Sequence, residues 1–503
     1  MAGPLFIAVD LGAGSGRVFL AGVDTGEFLL EEIHRFQYPP TEKDGNLRWD
    51  LNHIFAEIKF GLKTAGERAR ELGRKIKSLG IDSWAVDYGL LDASGELIAE
   101  PVCYRDDRTK EAMEQVFVRV PRSEIFEKTG IQFQNFNTLY QLDSEKRSGE
   151  AADLLLLPDL LHYFLTGTKA AEYTNATTTQ FLNAATGEWD RDLLERLDLP
   201  AGILQEIVPA GTDLGQLKPE IASELGLDGV HVVAPATHDT GSAIAGAPLD
   251  KDSAYISSGT WSLIGVELDE ALINEDVAAQ NFTNEGGVYG TVRFLKNVMG
   301  LWLLESCRRE WKAAGIDVEY DTLLAEVSAE KEFKAFIFPD DPRFLNPPSM
   351  LDAIAEQLAE TGQQFENSPA VISKIIFDSL AFRYASVLRS IKVLTGKNLA
   401  SIQILGGGGR NSYLNQMTAN ASGITVQAGL TEATVVGNVL VQAVTAGRFS
   451  SIADARKHVS KSFELIGYEP QRSVAIDEAG SKYRTIENKF VGLSASDSVG
   501  SDK

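Results

Sequence analysis

Apolar residues run unbroken from Leu5 to Val9 and stop at Asp10. A short apolar run bounded by a turn reads as a buried strand. Gly12-Ala13-Gly14-Ser15-Gly16 and Arg17 follow, and then Val18 to Val23, a second strand-like run. A dinucleotide-binding loop requires a helix directly after its glycines, and helical spacing is missing here. Asp24-Thr25-Gly26-Glu27 is a turn signal, and Phe28 to Phe36 reads as a third strand. The predicted opening is therefore strand, tight glycine turn, strand, turn, strand. Helical spacing takes over from Asn52 to Leu72, where Ile54, Phe55, Ile58, Leu62 and Ala65 share a face. Ile76 to Val86 returns to strand and ends at Asp87, and residues 110–200 mix helices with polar loops.

Further along, Val230 to Ala236 is another apolar strand, ending in Thr237-His238-Asp239-Thr240-Gly241 and followed by a small-residue helix, Ser242 to Ala247. Pro248 to Asp252 is turn-like and marks a domain boundary. Beyond it the opening layout recurs: Ala254 to Ser258, the small polar turn Gly259-Thr260, then Trp261 to Val266. Two halves that open alike suggest a duplicated fold, and a cleft between them would suit ATP. Ile402 to Leu405 reads as a strand, Asn411 to Met417 as the start of a helix, and four glycines, Gly406 to Gly409, lie between. Glycines there let backbone approach a ligand closely, and a helix N-terminus favours anions. A plain surface turn is the alternative; the flanking strand and helix favour a nucleotide contact.

The 503 residues suffice for two or three domains. A formal net charge of −24 argues against nucleic acid or anionic lipid as the main partner. It leaves room for a small anion held by local loop dipoles. Two cysteines, Cys103 and Cys307, form neither a disulfide framework nor a CxxC metal pattern. The N-terminal residues lack a basic region and a long apolar stretch, so a soluble, cytoplasmic protein is expected. Residues 494–503, rich in Ser and Asp, are expected to be a disordered tail. Asp239 stands out as a carboxylate at a strand end. It reads equally well as a general base and as the N-cap of the following helix.

In order along the chain, several segments together resemble the FGGY family of carbohydrate kinases, within the larger actin and Hsp70 superfamily. They are Ala8 to Arg17, Gly80 to Asp87, Tyr104 to Thr109, Glu172 to Gln180, His238-Asp239-Thr240, Leu295 to Trp302 and the four-glycine loop. The resemblance implies an α/β fold of two ribonuclease-H-like (actin-like ATPase) domains with an interdomain active-site cleft. Residues 1–248 would form the N-terminal domain, with the sugar site, first phosphate loop and catalytic Asp. Residues 253–470 would form the C-terminal, nucleotide-binding domain. It implies transfer of the γ-phosphoryl group of ATP, with Mg²⁺, to the 1-hydroxyl of a ketose, best matched by L-rhamnulose. The expected partners are the sugar and ATP, with no nucleic acid and no membrane, in a monomer or homodimer.

The same resemblance assigns roles. Asp239 becomes the catalytic base, with His238, Thr240, Asn297 and Ala85 as sugar contacts. Ala13, Gly14, Ser15, Gly16 and Arg17 form the first phosphate loop, Thr260 the second phosphate contact, and Gly407 lies against adenosine. Asp10 holds Mg²⁺, through water. Two positions depart from the family pattern. Ala85 stands where glycine is common and adds a methyl beside the sugar. Glu305 stands where glutamine usually contacts the nucleotide, keeping an acceptor and losing the amide donor. A kinase for L-fuculose or L-xylulose, or an actin-like ATPase without a sugar substrate, are the alternatives.

Overall fold

The structure, a computed structural model, describes residues 3–24 and 27–496. Its chain divides into two compact units. Unit 1 comprises Met1–Pro248, Glu267–Phe294 and Glu432–Phe463; unit 2 comprises Leu249–Val266, Leu295–Thr431 and Glu464–Lys503. Two later segments thus pack with the first 248 residues.

Unit 1 is built on the strands β1 (Leu5–Gly12), β2 (Ser15–Asp24), β3 (Glu27–Gln37), β4 (Ile76–Ser83), β5 (Asp213–Gln216) and β6 (His231–Val233). Their order in the sheet is β5-β6-β4-β1-β2-β3. The first three form the expected antiparallel meander, while β4 runs parallel to both β1 and β6. The apolar run in β1 is continuous because both faces of the sheet are covered. Leu5, Ile7, Val9 and Leu11 join a core with Ile54, Ile58, Leu62 and Ala65 of α1 (Leu51–Glu71), whose N-cap is Asp50. Phe6 and Ala8 pack on the opposite side with Val435, Val439 and Ala443 of α3 (Ala433–Thr445).

Two sequence-derived boundaries move. The strand predicted to reach Val86 ends at Ser83, because Val86 turns left-handed at φ 70°. The helix predicted from Ser242 begins at Asp239, as α2 (Asp239–Gly246), and only His231–Val233 of the preceding apolar run is ladder-paired. Helices α2 and α3 approach backbone to backbone through glycines. A Cβ on Gly437 would lie 1.7 Å from the Ser242 carbonyl oxygen, and one on Gly246 would lie 2.5 Å from that of Ala433.

In unit 2, β7 (Ser253–Ser258) pairs antiparallel with β8 (Trp261–Leu268) and parallel with β9 (Ser401–Leu405). Strand β10 (Thr425–Ala428) continues the parallel pairing and β11 (Ile466–Tyr468) closes that edge. The relation of β7 to β8 and β9 repeats that of β1 to β2 and β4, which is the duplication expected from the recurring hairpin. The chain's last helix spans Val474–Ser496. The expected disordered tail therefore starts inside a helix at residues 494–496, and its residues 497–503 lie outside those described.

Substituting Gly437 tests the α2–α3 contact. Gly437→Ala forces a methyl into backbone, so unfolding free energy should fall by about 1–3 kcal/mol, the usual cost of overpacking. Chemical denaturation measures it, and an unchanged midpoint would contradict the close approach.

Candidate active site

Parallel pairing of β1 with β4 sets Asp10 beside Asp82, one residue from the end of β4. Just beyond, the Ser83 amide donates to the Thr237 carbonyl at 2.9 Å and Ser83 bridges His238. The strand ends therefore gather Asp10, Asp82, His238 and Asp239 of unit 1 in one place. Asp82 is fully buried. One of its oxygens accepts from Asn438 Nδ2 of α3 at 2.5 Å, and the other, Oδ1, has no hydrogen-bond partner. Burial first, and Asp10 next, hold its carboxyl well above the usual carboxylate range. Across the β1–β2 hairpin, Asp10 pairs with Arg17, whose other nitrogen meets Glu432 at 2.5 Å.

Asp239 is the first residue of α2, and the capping position belongs to His238, which makes no side-chain cap. The capping alternative for Asp239 is thus not what the structure contains. Its Oδ1 accepts from the amide of Thr240 at 2.5 Å and from the Thr240 hydroxyl at 3.2 Å. The side chain is 32% exposed, open enough for a hydroxyl to reach. Burial of the carboxyl, reinforced by the Asp10 charge, pushes its pKa up to about 7. An ordinary aspartate has a pKa near about 3.9.

Three further residues support this corner. Glu172 is buried and accepts from the Thr237 amide at 2.9 Å, the Thr237 hydroxyl at 3.0 Å and the Thr174 amide at 3.0 Å. The Thr174 hydroxyl in turn lies 3.3 Å from the His238 amide that donates to it. Thr174, in the segment Glu172 to Gln180, therefore buttresses the His238 backbone. Arg293 is fully buried and donates to His238 Nδ1 at 3.0 Å. The one signal it left in the sequence is a charge inside the apolar run Val292-Arg293-Phe294-Leu295.

The loop at Ala13 to Arg17 is a two-residue hairpin in which Gly12 pairs with Ser15. Gly14 adopts φ 146°, and Gly16 leaves room for the Phe36 ring, which a Cβ would meet at 2.4 Å. Tyr38 clamps the turn: its amide donates to Gly14 at 3.0 Å, and its hydroxyl lies 2.6 Å from the Gly12 carbonyl oxygen and 2.9 Å from that of Ser15. Ser15 is exposed and Ala13, Gly14 and Arg17 are half-buried, so the loop presents polar groups outward.

Ala85 sits half-buried in the turn between Ser83 and Tyr88. A left-handed valine is a true outlier for a β-branched residue, and at Val86 the surroundings hold it in place. The Val86 carbonyl accepts from Thr138 Oγ1 at 2.8 Å. Asp87, fully enclosed, accepts from the indole nitrogens of Trp49 at 2.7 Å and Trp84 at 2.9 Å, from Gln141 Nε2 at 3.0 Å and from the Tyr104 amide at 3.2 Å.

Unit 2 holds the other expected positions. Thr260 is exposed in the β7–β8 turn, and its carbonyl accepts from the amides of Gly300 at 3.1 Å and Trp302 at 3.2 Å. Gly300 must be glycine: a Cβ would lie 2.7 Å from the Gly259 carbonyl oxygen. Asn297 lies within the strand Val292–Met299, away from any helix cap. Glu305, in the first turn of the helix Trp302–Ala313, pairs with Arg308 at 2.8 Å. In the four-glycine loop it is Gly408 that packs tightly, since a Cβ there would lie 2.0 Å from Ser258 Oγ, whereas Gly407 faces open space. Among the described residues, no helix is long and apolar enough to cross a membrane.

The sequence model for the N-terminal domain of the FGGY family of carbohydrate kinases matches residues 5–246, and the model for its C-terminal domain matches residues 254–446. A rhamnulokinase from Bacteroides thetaiotaomicron is 45% identical over 480 residues, covering 94% of this chain and 97% of the relative. One from Halalkalibacterium halodurans is 43% identical over 468 residues, covering 92% and 98%. Among solved structures, gluconate kinase from Lactobacillus acidophilus superposes with a TM-score of 0.79 at 15% identity, covering 97% of each chain. Plasmodium falciparum glycerol kinase with ADP gives 0.76 at 14% identity, covering 97% and 98%. At such identities the structural likeness speaks to the fold, which is the expected two-domain, actin-like α/β architecture.

Asp87 tests the turn at Ala85. Asp87→Ala leaves several buried donors without their acceptor, and each costs about 1–3 kcal/mol. A loss of at least about 2 kcal/mol in urea unfolding is expected on that basis; a loss within experimental error would mean that Asp87 does not organise the turn.

Proposed function

The chain belongs to the FGGY family of carbohydrate kinases, and from that premise we propose that it transfers the γ-phosphoryl group of ATP to the 1-hydroxyl of L-rhamnulose. The products are L-rhamnulose 1-phosphate and ADP. Alignment with curated rhamnulokinases along nearly the whole chain supports the substrate. The observation that carries the chemistry is Asp239, a partly open carboxyl with a pKa of about 7. Phosphoryl transfer asks the protein for positioning, for charge stabilisation and for a group that takes the hydroxyl proton. A base is most effective when its pKa lies near the working pH, and Asp239 meets that condition.

The sugar hydroxyl gives its proton to Asp239 as its oxygen attacks phosphorus in line. His238, Thr240, Ala85 and Asn297 are the proposed sugar contacts. Thr240 acts partly through Asp239, because its amide and hydroxyl both donate to Oδ1. Backbone amides of Ala13 to Gly16, the Ser15 hydroxyl and Arg17 donate to phosphate oxygens. Thr260, Glu305 and Gly407 of unit 2 are proposed nucleotide contacts. Glu305 is held by Arg308, which offsets the negative charge that it carries in place of a neutral glutamine.

The residues fit a Mg²⁺ ion. It is a hard cation that takes oxygen ligands, commonly one or two carboxylates completed by water and substrate phosphates. Asp10 offers a carboxylate at the strand end, and beside it Asp82 Oδ1 is buried without a hydrogen-bond partner. Asp10 would hold the ion, and the ion would offset charge on the phosphates. Cys103 and Cys307 are both free and buried, and neither enters this chemistry. Free thiols of this kind suit a reducing cytoplasm.

The assignment of the base is tested by Asp239→Asn. This variant should fold with unchanged thermal stability and lose roughly 10²–10⁴-fold in kcat, the range for removing a general base; wild-type turnover would remove Asp239 from the chemistry. In a coupled ADP-release assay, L-rhamnulose should give the highest kcat/KM, with L-fuculose and L-xylulose weaker. Because the Ala85 turn is fixed by Asp87 and Val86, Ala85→Gly should leave that ranking unchanged. A better value for another ketose would overturn the substrate and leave the kinase intact.

A further inference from the structure

The guanidinium of Arg293 is anchored at three points. Its Nε donates to the Gly286 carbonyl at 2.8 Å, its Nη1 lies 3.1 Å from the Glu285 carboxylate, and its Nη2 donates to His238 Nδ1 at 3.0 Å. A guanidinium has donors and no acceptor. The imidazole nitrogen facing it must therefore present a lone pair, and the single ring proton must reside on Nε2. Glu285 Oε2 lies 3.5 Å from the same Nδ1, too far to compete with the arginine as its partner. The charged groups that face the ring are Asp239 from α2, Glu285 from the strand Thr283–Gly286 and Arg293 from Val292–Met299. Burial and the arginine charge both hold the ring below its ordinary pKa.

The Nε2 atom lies 3.4 Å from Asp239 Oδ1. That is longer than a good N–H···O bond, and Oδ1 is already engaged by Thr240. The Nε2 proton is thus close to the proposed base without being bound by it. We propose that Arg293, backed by Glu285, is a positioning residue that locks His238 as the neutral Nε2–H tautomer, so that His238 offers the ketose a fixed hydrogen-bond donor and leaves proton acceptance to Asp239. The role in sugar binding rests on the kinase reading; the tautomer does not. Glu285 matters because it balances a charge that would otherwise be buried alone, and the pair holds the guanidinium plane that faces the ring.

The test combines nitrogen NMR with kinetics on the full-length protein. In ¹⁵N-histidine-labelled enzyme, the His238 signals, assigned by their loss in His238→Gln, should report the neutral Nε2–H tautomer throughout about pH 6–8, the range in which ordinary histidines titrate. An Nδ1–H tautomer or protonation within that range would overturn the proposal. Arg293→Met alone removes the positive charge that faces Glu285, so the decisive variant is Arg293→Met with Glu285→Gln, which removes both charges at similar volume. It should lose the single tautomer and raise KM for L-rhamnulose about tenfold, the equivalent of one well-made hydrogen bond, with KM for ATP unchanged. Arg293→Lys keeps a donor to Nδ1 and should recover part of that loss. Retention of the tautomer in the double variant, or loss of the tautomer with an unchanged sugar KM, would overturn the proposal. If the wild-type protein phosphorylated no ketose, the NMR result would still decide the tautomer, and only the substrate reading would fail.

Discussion

Three carboxylates, Asp10, Asp82 and Asp239, are crowded at the ends of parallel strands in unit 1, and burial of this corner, reinforced by the charge of Asp10, sets the proton affinity of the other two. The Asp10 charge makes ionisation of Asp82 and Asp239 harder. The crowding is imposed by strand register, which sets Asp10 beside Asp82 and Ser83 beside His238. Arg17 answers Asp10 and is shared with Glu432, while the charge of Arg293 partly offsets that of Asp239. Burial, reinforced by the Asp10 charge that this compensation leaves, places the Asp239 proton near neutral pH. A divalent cation bound with ATP would complete the compensation.

Keeping such a cluster in place requires rigid surroundings. Glu172 ties down the backbone just before Asp239, and Asn438 holds Asp82 from α3. Gln442 of the same helix bonds both the Ile7 carbonyl, at 3.0 Å, and Asn438, at 2.7 Å. The glycine contact between α2 and α3 brings the helix that starts with the base onto the helix that holds Asp82. Asp87 fixes the neighbouring turn through indole, amide and backbone donors. These are packing and hydrogen-bond devices, and they join the overall fold to the acid–base properties of the site.

Sequence made the strand meander of unit 1 legible because β1 to β3 are local and bounded by turns. It also exposed the duplicated hairpin at Ser253–Leu268 and the chemistry-bearing triplet at His238. It carried β4 past Ser83 to Val86, because an apolar residue such as Val86 looks the same in a strand and in a left-handed turn. Asp239 was ambiguous between base and cap, since both need a carboxylate at a helix start; only the position of His238 as the capping residue separates them. Asp82 lies within a segment that resembles the family, but nothing local marks its role, because its partner Asn438 lies 356 residues away. Tyr38 and Arg293 also act through contacts distant in sequence, and no local pattern announces them; Glu172 opens a segment that resembles the family, but its partner Thr237 lies 65 residues away. Gly407 and Gly408 look identical as letters, yet one faces open space and the other lies against Ser258.

Burial, reinforced by the Asp10 charge, holds Asp239 protonated below neutral pH and free to accept a proton above it. The direct measurement is kcat/KM for the ketose as a function of pH, which reports ionisation in the free enzyme. Activity should rise as Asp239 loses its proton, with a midpoint of about 7, and fall away below it. A midpoint near about 3.9, the value of an ordinary aspartate, would contradict it.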